Sequence, residues 1–388
     1  MADLDDRLDR LIADTGHMTP AVAKAFRAVP RHLFVPPVAV ACPQNRYGTA
    51  YGVDRDADPG EWWDAVYSDT GLVTQLDDGA TAISDVVGPD GEVDLAKVGG
   101  YTSSSSAPTV VAYFLRHLDA APGHRTLEIG TGTGWTAALL AHLVGDQNVT
   151  SVEVDAAIAA QAAKHLGEAG VQPHLVVGDG ADGCPERAPY DRVHVTCGIR
   201  AVPYAWVEQS RPGAVIALPY QPGFGVGYAL RLTVAPDGNA YGRIGREVDY
   251  MLMRAQRPPE LQPADPAQAR DFTTRIDPRL IARVPGGADL VISALTGLRC
   301  YSHQGEDYQR VWVINDSGEG VSWAAATWEA DQEEYEGYQI GDRPVWEEVV
   351  DAYFRWVSWG EPGQDRFGMT VTPEGQQLWL DSPEHVIG

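Results

Sequence analysis

The stretch Leu127-Glu-Ile-Gly-Thr-Gly-Thr-Gly134 places glycines at 130, 132 and 134, just after an apolar run and just before a run with helical spacing. Glycines at alternate positions let a backbone turn sharply and approach a ligand with no Cβ in the way. A nicotinamide dinucleotide fingerprint carries its third glycine one position later, where this chain has Trp135, so there is no room for a pyrophosphate. With a carboxylate at Glu128, the turn suits a cationic ligand without phosphates. Glu153, at the end of the next apolar run, is placed to accept both hydroxyls of a ribose. Asp179-Gly180, one run further, can meet an adenine edge through a carboxylate or a backbone amide. The other stretch with chemistry in it is Tyr101-Thr-Ser-Ser-Ser-Ser-Ala-Pro108, ahead of a predicted helix. Hydroxyls there are ordinary caps, and Ser106 by itself reads as one. Several hydroxyls with helix N-terminal amides also make a donor cluster for a carboxylate that an acidic protein otherwise repels.

The elements that must position these groups follow from periodicity. Helices are predicted over 110–118, 135–144 and 156–169, and strands over 125–129, 149–154, 174–177, 192–196 and 214–218. Alternation of this kind predicts an α/β fold with a mostly parallel sheet covered by helices on both faces. Ligands bind such sheets at the carboxyl ends of the strands, where the glycine turn, Glu153 and Asp179 fall. Upstream, two short helices open the chain, the second capped by Thr19 with Pro20 at its first position. Residues 47–100, rich in Gly, Asp and Trp, predict loops and hairpins, including a β-like run over 80–87. A proline-rich linker is expected at 257–268, which separates a domain over 1–256 from a smaller α+β accessory domain over 269–388. The first divides further into N-terminal helices and substrate-side loops, 1–108, and a cofactor-binding core, 109–256. The second carries a predicted amphipathic helix over 344–359 and a closing strand around Leu378-Trp-Leu380. Its acidic stretch over 316–351, densest at 329–336, reads either as a solvated face or as an attraction for a basic peptide.

The chain has 388 residues, with Lys+Arg 29 against Asp+Glu 54 and a net charge of −25. That balance repels phosphate backbones and anionic lipid, which argues against nucleic acid and membrane surfaces as partners. No run approaches the ~20 apolar residues of a membrane span, and the acidic N-terminus has no basic leader, so a cytoplasmic protein is expected. Cys42, Cys184, Cys197 and Cys300 form no CxxC pair, so neither a disulfide framework nor a metal site is expected. His194 lies in an apolar strand and reads as a packed core residue. Trp62 and Trp63 either close over a peptide or pack their own loop.

Taken together, the glycine turn, Glu153, Asp179-Gly180 and the strand at 191–195 resemble the S-adenosylmethionine site of class I methyltransferases. More specifically, Val29-Pro-Arg-His-Leu-Phe-Val-Pro36, Tyr67-Ser-Asp69, Ser106-Ala-Pro108, Ala188-Pro-Tyr-Asp-Arg192 and Arg211-Pro-Gly213, with that turn, are similar to protein-L-isoaspartate O-methyltransferases. The resemblance runs from about residue 5 to 255. It implies a Rossmann-like fold and a carboxyl O-methyltransferase that takes S-adenosyl-L-methionine and releases S-adenosylhomocysteine. It also implies that Ser106 lies beside cofactor and substrate carboxylate; the neighbouring Ser103, Ser104 and Ser105 are further candidate aligners by their position in the run. Glu153 would hold the ribose and Asp179-Gly180 the adenine, with Glu128, Gly130, Thr131, Gly132, Gly134, Val154 and Thr196 completing the cofactor set. Tyr67, Asp69, Trp62, Trp63 and Thr102 would meet the substrate.

Three features depart from that pattern: an insertion carrying Trp62-Trp63, the run of serines, and the appended residues. With Thr196-Cys197, Ala205-Trp206 and the closing segment at 368–381, they resemble the peptide-tailoring branch that accompanies graspetide, lanthipeptide and lasso-peptide pathways. That resemblance implies methylation of an aspartate in a constrained or macrocyclic ribosomal precursor, the ester closing to an aspartimide or continuing to isoaspartate; the sequence leaves the oligomeric state open, a monomer being the favoured expectation. The alternatives are a general isoaspartate repair methyltransferase and a non-catalytic cofactor-binding module. An aspartyl carboxylate, with a pKa near ~4, is already ionised at neutral pH, so the chemistry needs alignment and desolvation more than a base.

Overall fold

The computed structural model describes residues 2–16, 18–44, 50–259, 266–315 and 322–387. The chain divides into two compact units, one of Met1–Cys197, Pro203–Leu218 and Thr233–Gly238, the other of Gly198–Val202, Pro219–Leu232 and Asn239–Gly388.

In the first unit, helices α1 (Ala2–Thr15) and α2 (Pro20–Ala28) open the chain, and Thr19 caps α2 by accepting from the amide of Val22. Strands β1 (Val38–Pro43), β2 (Tyr51–Asp54), β3 (Thr70–Leu76) and β4 (Tyr101–Ser105) form a small antiparallel sheet in the order β2-β1-β3-β4, and α3 (Pro59–Val66) links β2 to β3. The β-like run expected over 80–87 is instead built around a short 3₁₀ turn, Ile83–Asp85. Of the serines ahead of the helix, Ser103, Ser104 and Ser105 belong to β4 and pair with β3, which buries alternate side chains, while Ser106 follows the strand. Helix α4 (Pro108–Leu118) then starts at a proline, which needs no amide partner there.

The larger sheet of this unit contains β5 (Thr126–Ile129), β6 (Val149–Glu153), β7 (His174–Val177), β8 (Tyr190–Val195) and β9 (Ser210–Tyr220). Their order is β7-β6-β5-β8-β9 and each neighbouring pair is parallel. Every residue of β5 and β6 is buried, which is why both read as unbroken runs with no solvent face. Helices α5 (Trp135–Val144) and α6 (Ala156–Glu168) connect these strands, and the short α7 (Tyr204–Glu208) precedes β9.

The second unit holds most of β10 (Gly227–Val234), and β11 (Ala240–Val248), β12 (Arg270–Thr274), β13 (Arg299–Gln304), β14 (Tyr308–Asn315), β15 (Ser322–Glu329), β16 (Tyr335–Ile340), β17 (Phe367–Thr372) and β18 (Gly375–Leu380). Strands β12-β16-β15-β14-β13 form an antiparallel sheet in that order. One face of it packs on α8 (Pro278–Ala282), α9 (Gly286–Thr296) and α10 (Val345–Ser358) through residues such as Ile281, Ile292, Val311, Val313, Ala324 and Val349. The closing strands belong elsewhere: β17 pairs with β11, and β18 with β17. An unpaired edge on β11 is thereby covered. The boundary expected after residue 256 therefore differs from the division the structure makes, which crosses the chain several times between 197 and 239. Residues 260–265 of the expected linker lie outside the described residues.

Candidate active site

The carboxyl ends of β5, β6 and β8 gather most of the predicted cofactor residues. Gly130, Gly132 and Gly134 all have positive φ, at 89°, 53° and 91°. At Gly130 this matters doubly, because a Cβ there would lie 2.5 Å from Thr196 Oγ1. Thr196 donates that hydroxyl to the carbonyls of Ile129 (3.0 Å) and Gly130 (2.5 Å), so it fastens the turn from the end of β8. Glu153 Oε2 accepts from the amide of Gly132 at 2.9 Å, and Oε1 accepts from the amide of Asp155 at 3.1 Å. A carboxylate oxygen has room for a second donor, so this side chain is aimed and still able to accept hydroxyls.

Beneath the turn, Thr131 and Ser151 share a hydrogen bond of 2.6 Å, and Ser151 donates to Glu128 Oε2 at 2.6 Å. Glu128 has no exposed surface, and burial pushes its carboxyl up to about 8. Its Oε1 lies 4.0 Å from His194 Nδ1, with no hydrogen-bond partner for either atom. Burial lowers His194 to about 4, so the ring is neutral and packed at neutral pH. Asp179, exposed beyond β7, accepts from the amide of Ala181, and the carbonyl of the buried Gly180 accepts from Trp206 Nε1 at 2.8 Å. Val154, after β6, is 44% exposed. Cys197 is pushed up to about 12 by burial, with Glu153 and Asp179 adding to the rise, so it is no thiolate nucleophile.

The serine strand faces the glycine turn. A Cβ on Gly132 would stand 3.6 Å from the carbonyl oxygen of Ser104 and 3.9 Å from Ser103 Oγ. This shallow, Cβ-free cradle, with a fixed carboxylate at its rim, fits a ribose-bearing cationic cofactor.

The four serines are not equivalent. Ser105 is 2% exposed and its Oγ accepts from Arg31 Nε at 3.2 Å, which removes it from the groups able to reach a substrate. Ser103 is buried as well, with Thr74 Oγ1 at 3.4 Å, while Ser104 and Ser106 are half-buried. Ser106 is not the cap of α4. That position is Ala107, which supplies no side chain, and Asp69 Oδ1 accepts from the amide of Thr109 at 2.9 Å instead. Asp69, expected to meet substrate, thus holds a helix start. Thr102 is likewise engaged, donating to Gln75 Oε1 at 2.9 Å and accepting from the amide of Asp78.

Trp62 is 1% exposed and donates to the carbonyl of Pro36, so of its two readings the packed one holds. Trp63 is half-buried, stacks on Tyr67 with centroids 5.8 Å apart, and lies 4.7 Å from His32. Tyr67 OH and His32 Nδ1 are 2.7 Å apart.

The residue the sequence reading passed over is Arg31. It is buried, and donates to the carbonyls of Val66 (3.0 Å), Thr70 (2.8 Å), Ser105 (3.0 Å) and Ser106 (2.9 Å). Burial lowers its guanidinium to about 9, opposed by the attraction of Asp69. One fork of donors therefore locks β4 to the α3–β3 connection beside the glycine turn. The signal was present: an arginine inside the apolar segment 29–36 has to be buried and multiply paired if that segment packs.

The described residues contain no cluster of three or more His, Cys, Asp or Glu able to hold a metal, and no helix long and apolar enough to cross a membrane.

The family described as protein-L-isoaspartate(D-aspartate) O-methyltransferase (PCMT) matches residues 93–253. A protein-L-isoaspartate O-methyltransferase of Pyrococcus horikoshii is 43% identical over 29% of this chain and 52% of its own length, and one of Opitutus terrae is 34% identical over 41% of this chain and 67% of its own. The chain spans about half the length of most of the curated relatives it matches, as in the Pyrococcus case. A solved structure of a protein-L-isoaspartate O-methyltransferase is alike over 97% of this chain and 99% of its own, with a TM-score of 0.53 and 20% identity. The fold is that of the class I S-adenosylmethionine-dependent methyltransferases, with further C-terminal strands and helices. With the glycine turn, the carboxylate at 153 and the serine strand in one place, and a relative matched over two thirds of its length, the chain belongs to the protein-L-isoaspartate O-methyltransferase family.

Proposed function

We propose that this chain transfers a methyl group from S-adenosylmethionine to the side-chain carboxylate of an aspartyl or isoaspartyl residue, and that its substrate is a constrained, ribosomally made precursor peptide. The observation that carries the methyl-transfer reading is the cradle itself, with Gly132 held by Glu153 and faced by Ser103 and Ser104 within 4 Å of an added Cβ. The bound cofactor supplies an electrophilic methyl on a sulfonium. The glycine turn, Glu153 and Asp179-Gly180 would hold it, with Val154 beside the adenosine. Glu128 and Thr196 would act by bracing the turn. Ser106, on backbone fixed by Arg31, and Ser104, paired in β4, would orient the incoming carboxylate, with Trp63, Tyr67 and His32 as an aromatic wall that strips water from it. No group is needed to take a proton, because the nucleophile is already an anion. Methoxide is a better leaving group than hydroxide, so the next residue's backbone nitrogen attacks the ester carbonyl, methanol leaves, and a succinimide forms.

The peptide-tailoring part of the reading is supported by the Trp62-Trp63 insertion, which folds as α3, and by a serine strand in place of one hydroxyl. Repair of isoaspartate in many damaged chains is the second reading. It is favoured by the likeness over 97% of this chain to a protein-L-isoaspartate O-methyltransferase, since the extra residues then do not by themselves mark a tailoring enzyme. A cytoplasmic monomer suits either.

The test is mass spectrometry after incubation of the protein and S-adenosylmethionine with a linear isoaspartyl peptide and with a macrocyclic, aspartate-containing precursor. A methyl ester followed by net loss of water on the precursor alone is expected. Turnover of the linear peptide alone would make this a repair enzyme, and turnover of neither would remove the methyl-transfer reading.

A further inference from the structure

A sheet that packs one face on helices ordinarily shows polar side chains on the other. The five-stranded sheet of the second unit does so only in part: His303, Arg310 and Thr327 form a polar outer row and Asp271 pairs with Tyr338, while two rows carry large apolar side chains. Its inner face, with Val311, Val313, Ala324 and Ala326, lies in the core under α9 and α10. On the outer face the strand register sets side chains in transverse rows. One row is Arg299, Ile314, Trp323 and Ile340; the next is Tyr301, Trp312, Ala325 and Tyr338. The Trp323 and Tyr338 rings meet edge-on at 5.4 Å. Ala325 and Ile340 are buried on this face, at the foot of the larger rings in their rows. Tyr301 and Tyr308 are 43% and 37% exposed. At ~4.8 Å between strands the aromatic row spans about 14 Å, the reach of roughly four residues of extended chain.

Charge selects the occupant. The pairings Gln304 with Gln309 and Tyr308 with Glu329 bring the β13–β14 and β15–β16 turns to the same end of the sheet. Those turns carry exposed carboxylates, Glu306 and Asp307 in one and Asp331, Glu333 and Glu334 in the other, of which Glu334 already pairs with Arg275 at 3.2 Å. Within the face, Arg310 is turned onto Thr327 Oγ1 at 2.9 Å and lies against Tyr308 and Tyr338, each 5.9 Å away. A ring-lined face beside an acidic end, on a chain of net charge −25, attracts cations and repels polyanions.

We propose that this outer face docks an extended basic peptide segment, apolar side chains lying on the Trp312–Tyr338 row and lysine or arginine side chains reaching the two acidic turns. The proposal rests on the reading that the substrate is a peptide, and it assigns the segment of that peptide away from the methylated residue.

The test uses the full chain without S-adenosylmethionine and a fluorescein-labelled nonapeptide of alternating lysine and leucine, read by fluorescence anisotropy. A glutamate-leucine counterpart and oligothymidylate serve as comparisons. The lysine-leucine peptide is expected to bind, Trp312→Ala to weaken it at least tenfold, and the two comparisons not to bind. Tyr301→Ser and Tyr308→Ser, at exposed positions, are expected to weaken binding several-fold with an unchanged melting temperature, which separates a lost contact from a lost fold. Absence of lysine-leucine binding, binding that all three variants leave unaltered, or binding of oligothymidylate would overturn the proposal. Because no methyl is transferred, a negative result beside active turnover of peptides refutes the docking face alone.

Discussion

Arg31 and Glu128 show how single buried groups set the conditions for the site. Arg31 makes its contacts to residues 35 to 75 positions away, and its removal would withdraw a buried donor from each of the four carbonyls it serves. Replacement by methionine is therefore expected to cost about 3–5 kcal/mol in urea unfolding, since buried unsatisfied groups cost ~1–3 kcal/mol each and water can relieve part of that. A loss under ~1 kcal/mol would mean that β4 is held by its ladder alone. Glu128 gives a pH signature. Its carboxyl rises from 4.5 to about 8 on folding, so across that window the unfolded chain is ionised where the folded one is neutral, and stability falls as pH rises. His194, lowered from 6.5 to about 4, acts in the opposite direction and only below 6.5, while buried Asp289, raised from 3.8 to about 7, is spent above that value. Between pH 7 and 8 the decline in melting temperature is expected to shrink in Glu128→Gln; an identical slope in variant and parent would count against a neutral buried acid.

At the level of elements, the glycine turn and the serine strand are the two halves of the cradle, and they differ in how far the sequence exposed them. The turn was legible because its requirement is local: glycine at three positions of positive φ between an apolar strand and a helix. Gly130→Ala tests it. Alanine would have to adopt φ near 89° and place its Cβ 2.5 Å from Thr196 Oγ1. The expected outcome is a loss of about 1–3 kcal/mol in stability and at least a tenfold weaker S-adenosylhomocysteine titration in calorimetry. Unchanged affinity would show that the cofactor does not use this turn. The serine run does precede a helix, but its strand conformation is not legible, because a run of hydroxyls has no hydrophobic period and the conformation comes from pairing with β3 across an irregular register. Which serines face outward then follows from the alternation of a strand and from Arg31, neither of which is visible in Ser103-Ser-Ser-Ser106 alone.

For the whole molecule, the chain's own pattern determined what depends on near neighbours. The alternating helices and strands from residue 109 onward, the Thr19-Pro20 helix start, the amphipathic α10 and the closing strand all followed from short apolar runs, the helical period and local caps and turns. The glycine turn, Glu153 and Asp179 could be assigned to one end of a parallel sheet for the same reason, because strands joined by helical crossovers run in one direction and so have their carboxyl ends at one edge. What the tertiary structure alone decided are relations between distant segments. Asp69 supplies the missing cap of a helix that begins at Pro108, and Arg31 ties down Ser105 and Ser106. Strand β17 covers the edge of β11 instead of joining the sheet of its own C-terminal neighbours, and three ordinary-looking strands align Trp312 with Ala325 and Ala325 with Tyr338. Periodicity tells which face of an element is apolar; it carries no information about which other apolar face or unpaired edge will meet it, because that choice is made by packing and hydrogen-bond satisfaction over the whole chain.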